Sequence, residues 1–499
     1  MATDIGPASA RRTSLFRHGA FMMLWAAETI SQFGTQVSLL ALPLIAALTL
    51  DVSPFAFGLL STIEFLPFIL ISLPAGVWVD RLPRRPILII ADLGRGLALL
   101  SIPVAFALNA LTIWQLYVVG FVNGCLTVFF DIAYQAYLPS LVDRDDILDG
   151  NSKLEISRSG AQIAGPGLAG FLIGIVTAPV AVLLDSLSYL GSALCVLAIR
   201  VPEPPASAQD EANPPRMRTE IAEGLRYVVT HGYLRYISAC TGITNFFGSV
   251  AFAILFLYLV RDLGFTPQVL GLALSAGSVG FLAGALTANH IGRHLGVGPT
   301  IVVSTLVSGP SAVLVAIAPH AAALPFVVGF MFLLSCGSAI YNILQVSFRQ
   351  AVTPPRMQGR MNATMRFIVW GTIPIGSTLG GYLGGTIGLQ ETIWISAIGG
   401  SFAFVPLLFS PLWSLKTMPE LEPDAPTVAI FDEAVDETVS NILRSGSFAA
   451  RSHKRQIRRL AVDPSPVSLE ERMEVYRFVD TEEYHQGIKA FLAKVDRHR

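Results

Sequence analysis

The amino-acid sequence predicts an all-α integral membrane protein, with twelve transmembrane helices arranged as two pseudo-symmetric six-helix halves. Hydrophobic residues make up 53% of the 499 and charged residues only 14%, with a mean hydropathy of +0.59, outside the range of soluble chains of this length. Apolar runs of roughly 20 residues, enough for a helix to cross about 30 Å of hydrocarbon, recur from Gly19 to Trp413. Stretches such as Ile254–Val260 and Ala312–Ala318 are apolar on every face, which excludes the alternation of a membrane strand and leaves helices as the spanning element.

The spans are expected near residues 19–49, 54–79, 86–108, 111–138, 158–177 and 179–200, then 233–260, 267–289, 297–318, 322–348, 363–387 and 391–415. A cytoplasmic N-terminus, 1–18, precedes the first half, 19–200. Val201–Arg216, rich in proline and acidic residues, opens a cytoplasmic linker, 201–232, before the second half, 233–415. Ile221, Leu225 and Val228 in that linker have the spacing of an amphipathic helix lying along the membrane surface. The segment 1–17 lacks the long apolar core and cleavage site of a secretory signal, so the first helix should be retained.

Alternate loops differ in charge. One side carries Arg11, Arg12, Arg17, Arg81, Arg84, Arg85, Arg144, Lys153, Arg216, Arg218, Arg226, Arg293, Arg349, Arg356 and Arg360, and the other only Arg261. Positive charge marks the cytoplasmic side, so both termini are expected there, in a plasma (cytoplasmic) membrane. The helical tail, 416–499, combines an apolar face ending near Gly446 with a basic run from His453 to Arg459, suited to the anionic inner leaflet or to another protein. Its end, Glu483–Lys494, resembles the C-terminal helices of enoyl-CoA hydratase-like proteins, without implying their activity.

The two halves repeat. At an offset of 211, Asn151, Gly160, Gly165, Gly170 and Gly174 fall on Asn362, Gly371, Gly376, Gly381 and Gly385; at 213, Ser31-Gln32-Phe33 meets Thr244-Asn245-Phe246. Parallel six-span repeats with a midplane site between them are a transporter architecture.

Polar residues at helical spacing mark faces that line a pathway. Span 1 offers Glu28, Ser31, Gln32 and Thr35; span 4, Asn123, Thr127, Asp131 and Gln135; span 7, Thr241 and Asn245; span 10, Asn342, Gln345 and Arg349. Gln32, Thr35, Asn123, Thr127, Asn245, Asn342 and Gln345 are the candidate substrate-cavity residues. Glu28, Glu64 and Asp185 lie deep in their spans without a basic neighbour in sequence, which makes them candidates for proton coupling. Arg95 has Asp92 three residues earlier, a spacing that fits a local ion pair.

After span 2 comes Gly76-Val-Trp-Val-Asp80-Arg81-Leu-Pro-Arg84-Arg85. Gly76 would permit close helix approach, and Asp80 would face the positive N-terminus of an odd-numbered span such as span 11. Arg81, Arg84 and Arg85 would pair with Asp131, so that the set works as a conformational latch. This loop resembles the signature loop of the major facilitator superfamily, with Pro83 in place of a glycine. Gly165-Pro166-Gly-Leu-Ala-Gly170 is similar to the helix-packing motif of its exporter branches, where proline predicts a bend. With Leu184–Tyr189, Asp92–Arg95 and Gly359–Arg366, the chain resembles, over about residues 15–415, the secretion-effector subgroup that includes enterobactin exporters and macrolide-efflux proteins. That resemblance implies the major facilitator fold and proton-coupled export of a small amphiphile such as a drug, siderophore or secondary metabolite. Thr35 stands where that family's first span has an acid.

The expected partners are a small-molecule substrate, protons and the lipid bilayer, not nucleic acid. An importer or a lysophospholipid flippase on the same scaffold stays open. A channel or sensor fits less well with a duplicated bundle. With no Walker A loop, metal-ligand cluster or Ser/His/Asp constellation, the expectation is no enzyme, no cofactor and no metal.

Overall fold

The computed structural model describes residue 15 and residues 18–142, 146–201 and 217–418. The chain divides into two units, Met1–Pro419 and Glu420–Arg499. The expected tail helices lie outside the described residues, as do most of the N-terminus and the proline-rich part of the linker.

Helix α1, Gly19–Leu44, is capped by His18 and runs on into a π-helical turn, Ile45–Thr49. The second expected span is interrupted at Ile71, giving α2, Pro54–Leu70, and α3, Ser72–Arg81. Pro74 has no N–H to donate to the Leu70 carbonyl, which accounts for the break. There follow α4 (Arg84–Ala107), α5 (Ile113–Leu141), α6 (Ile147–Val176) and α7 (Ala178–Ala198), then the linker helix α8 (Met217–Thr230). The second half comprises α9 (Leu234–Arg261), α10 (Pro267–Leu295), α11 (Val297–Ser308) with α12 (Ala312–Ala316), α13 (Ala323–Val352), α14 (Pro355–Thr386), and α15 (Leu389–Ser401) with α16 (Val405–Leu408). Ten of these segments are long and apolar enough to cross a membrane; the two other expected spans fall on α2–α3 and α14. Helix α6 starts eleven residues before the expected boundary at 158 and passes Pro166 as one continuous helix.

Equivalent helices pack alike in the two halves. Helix α1 lies against α6 and α7, as α9 lies against α14 and α15, and α2 lies against α5 as α10 lies against α13. The halves meet mainly through α2 with α14 and α6 with α10. Both seams close on glycine. A Cβ on Gly58 would stand 2.7 Å from the Gly381 Cα, and one on Gly170 would stand 2.9 Å from the Gly271 Cα. Gly170 and Gly381 are related by the 211 offset and Gly58 and Gly271 by 213, so the two seams are one contact used twice. Gly165, the other motif glycine, packs on Gln36 of α1.

The apolar core shows where the halves part. One cluster, including Leu44, Phe57, Ile102 and Ile173 with Leu257, Phe265, Met331 and Ile393, joins both halves at the end that holds the Asp51–Ser53 loop. At the opposite end each half has its own: Phe21, Leu88, Tyr137 and Val196 in the first, Ile237, Ile301, Phe348 and Met361 in the second. The bundle is closed at the first end and open between the halves at the second.

The linker helix is held by the second half. Val228 is fully buried in the second half's cluster, Glu223 pairs with Arg360 of α14, and the Tyr227 hydroxyl donates to the Val352 carbonyl at 3.3 Å. Leu225 is exposed, so α8 docks on the second half through Val228 and leaves Leu225 on its free face.

Candidate functional site

The first half gathers its charges around Arg95 of α4. Its guanidinium lies between the rings of Phe130 and Tyr189, 4.2 Å from each centroid, and pairs with Asp92 one turn earlier. Ser192 of α7 donates to the other Asp92 oxygen at 2.6 Å. Arg95 is only 3% exposed, and cation–π stacking supplies part of what burial takes from a guanidinium. The local pair is real, but it is the centre of something larger: Glu28 of α1, Asp131 of α5 and Asp185 of α7 all feel the same arginine.

Glu28 is buried; one carboxylate oxygen accepts from Gln32 at 2.6 Å and the other makes no hydrogen bond among the described residues. Asp185 accepts from the Ser188 hydroxyl at 3.1 Å. Thr35 and the Tyr189 hydroxyl are bonded at 2.9 Å, tying α1 to the arginine sandwich. Asp131 is exposed although it sits within α5, so it faces the gap between the halves, with Arg158 of α6 and Tyr134 beside it. Asn123 and Thr127, on the same face of α5, are half-buried, and Asn123 Oδ1 makes no hydrogen bond among the described residues. Glu64 of α2 lies apart, its side chain packed on Gly120 of α5 and without a hydrogen bond or ion pair among the described residues.

The second half has neutral groups at these places. Thr241 bonds the Tyr341 hydroxyl at 2.6 Å, Asn245 donates to the Val369 carbonyl at 3.3 Å, and Gln345, buried, donates to Asn342 at 3.5 Å. Asn342 is exposed to the gap as Asp131 is. Of the expected cavity residues, Asn245 ties α9 to α14, Gln345 bonds within its own helix, and Asn342 is exposed.

The signature loop departs from expectation in two ways. No described atom lies within 4 Å of a Cβ built on Gly76, so close approach is not its role here. Among the described residues Asp131 faces Arg95 and Arg158, while Arg85 donates to the Val196 and Leu197 carbonyls at 3.3 and 2.7 Å, holding the C-terminus of α7. The side chains of Asp80 and Arg81 lie outside those described. Sequence reasoning missed Phe130, Tyr189, Ser192 and Arg158. Tyr189 stands four residues after Asp185, the one local signal that it shares that face.

Two six-helix repeats that meet at paired glycine seams and open at one end, with polar groups in the gap, define a membrane transporter of the major facilitator class. The family model described as transmembrane secretion effector matches residues 11–443, and the chain belongs to that family. It is 27% identical over 410 residues to the uncharacterized MFS-type transporter YfiS of Bacillus subtilis (78% of this chain, 90% of that one). It is 25% identical to the multidrug efflux pump Tap of Mycolicibacterium fortuitum, covering 75% and 92%. To the enterobactin exporter EntS of Salmonella typhi it is 24% identical, covering 66% and 76%. In fold it resembles a bacterial homologue of the iron transporter ferroportin in its inward-facing state, with a TM-score of 0.64 at 16% identity, covering 79% of this chain and 99% of that one.

Proposed function

We propose that the protein is a secondary active exporter of a small amphiphilic molecule, working by alternating access and driven by proton antiport. The observation that carries this reading is the crowding of acids around Arg95: Asp92 pairs with it directly, Glu28 and Asp185 lie within its reach, and Asp131 stands between it and Arg158. Such a group is suited to taking up and releasing protons. Asp131 opens to the gap and Glu28 lies one layer deeper, an arrangement in which a ligand entering the gap would meet the acid group and change its proton occupancy. With the basic loops on the cytoplasmic side, the open end faces the cytoplasm, and the closed end is pinned by Arg261, which pairs with Asp51 and donates to the Val52 carbonyl at 2.9 Å. The efflux names of Tap and EntS support the outward direction.

The loop arginines and Asp131 would latch the cytoplasmic end in the opposite conformation; in this one Arg85 is engaged by the carbonyls that end α7. The test is proton movement in everted membrane vesicles, followed with a pH-sensitive dye while amphiphilic drugs and siderophore-like compounds are added. Proton efflux that appears on adding a compound and disappears in Glu28→Gln and Asp185→Asn is the expected result. Substrate movement with no proton movement would overturn the antiport.

A further inference from the structure

Where α2 meets α14, Phe65 and Phe68 of the first half and Trp370 of the second form one aromatic cluster. The two phenylalanine rings are 5.4 Å apart, and Trp370 stands edge-on to them at 5.8 and 6.4 Å. Helix geometry fixes which way the cluster looks. Helix α14 turns Gly376 and Gly380 toward α9, and Thr378 and Gly381 toward α2. Its outward residues Phe367, Ile375 and Tyr382 are 68%, 63% and 56% exposed. At about 100° per residue, Arg366 and Trp370 fall on the face between the α9 and α2 contacts, looking into the gap.

Arg366 is itself exposed, and its guanidinium lies over the Trp370 ring at 5.1 Å. An exposed arginine on an inward face of a membrane helix needs water, so this face borders the aqueous part of the gap. On α2, Glu64 lies one turn before Phe68 on the same side, with its carboxylate free of hydrogen bonds and ion pairs among the described residues. Three rings, a cation already stacked on one of them and an unpaired carboxylate one turn away make a recognisable chemical set. Aromatic faces attract organic cations, and a nearby carboxylate neutralises them.

The geometry points to a binding subsite for a lipophilic organic cation built from Phe65, Phe68, Trp370 and Glu64, in which Arg366 occupies the Trp370 face until the ligand displaces it. This deepens the export reading above by naming a substrate class, and because the rings come from both halves, occupancy bears directly on the seam about which the halves would rock. A lipophilic cation would exchange one cation on the ring for another, while a neutral molecule would gain nothing from removal of Arg366.

Equilibrium binding to the purified full chain in detergent tests it, with tetraphenylphosphonium as the cationic probe and triphenylphosphine oxide as a neutral one of similar shape. Arg366→Ala should tighten tetraphenylphosphonium binding about three- to tenfold and leave the neutral probe unchanged; Trp370→Leu should weaken it about tenfold, and Trp370→Phe should restore most of the loss. In Arg366→Ala/Trp370→Leu the gain should vanish. A gain that persists without the ring would make Arg366 a distant charge and overturn the subsite. Should Trp370→Leu fail to fold, Phe68→Ala gives the same reading, with about a fivefold loss expected and unchanged binding overturning the proposal. Wild-type protein that binds neither probe, yet moves protons with a neutral compound in vesicles, would overturn the cation subsite and leave the exporter standing.

Discussion

The two halves use one scaffold for different chemistry. At the repeat offsets, Glu28 corresponds to Thr241, Glu64 to Gly277, Asp92 to Thr305, Arg95 to Ser308, Asp131 to Asn342 and Asp185 to Ser396. The contacts support this correspondence. Glu64 packs on Gly120, and Gly277 meets the backbone of Met331, the residue equivalent to Gly120. Every charge of the first half's cluster has a neutral counterpart in the second.

The consequence lies in how each set is satisfied. Thr305 and Ser308 donate to carbonyls of their own helix, at 2.8 and 3.0 Å, and Ser396 donates to the Phe247 carbonyl at 2.6 Å. Such hydroxyls need no ionisable partner. The first half's carboxylates instead gather around Arg95, with Asp92 in direct contact with it. The charged set therefore belongs to the first half, and the second presents neutral groups at the equivalent places.

The sharpest way to break this comparison is to remove one member from each side. Arg95→Met leaves Asp92 buried without its cation and should lower stability by about 3–5 kcal/mol, whereas Ser308→Ala should cost under about 1 kcal/mol; thermal unfolding in detergent reads both. Similar losses would mean that the charged cluster is no more demanding than its neutral counterpart. A second pair concerns what the halves share. Gly170→Ala and Gly58→Ala force a Cβ against the facing helix in each seam, and both should cost about 1–3 kcal/mol by overpacking. Markedly unequal losses would show that the seams have diverged as the charges have. The smallest effect is expected at the closed end, where Arg261 and Asp51 are solvent-accessible: Arg261→Ala should change stability by less than about 1 kcal/mol. It should still raise thiol labelling of a cysteine introduced at Leu263 by up to about fivefold, because a pair that bridges the halves biases one conformation. Unchanged labelling would mean that the apolar cluster alone closes this end.

The sequence disclosed the deep acids, the polar stripes and the repeat, because each is a local pattern: a charge amid apolar residues, or a spacing of three and four. It did not disclose that Asp131 faces Arg95 and Arg158, since that depends on how α4, α5 and α6 come together. The latch expectation paired Asp131 with the loop arginines by opposite charge, but Arg85 is turned to the carbonyls that end α7. The linker helix was legible as a helix, and the partner of its apolar face was not: Val228 is buried on the second half.

By itself, the sequence determined that this chain is a helical membrane protein of two repeated halves, because the bilayer demands long apolar helices and a duplication leaves its spacing in the glycines. Tertiary structure decided which end is closed, which residues share Arg95 and which rings meet across the seam. Those depend on distances between side chains far apart in sequence, and hydropathy and periodicity carry no record of them.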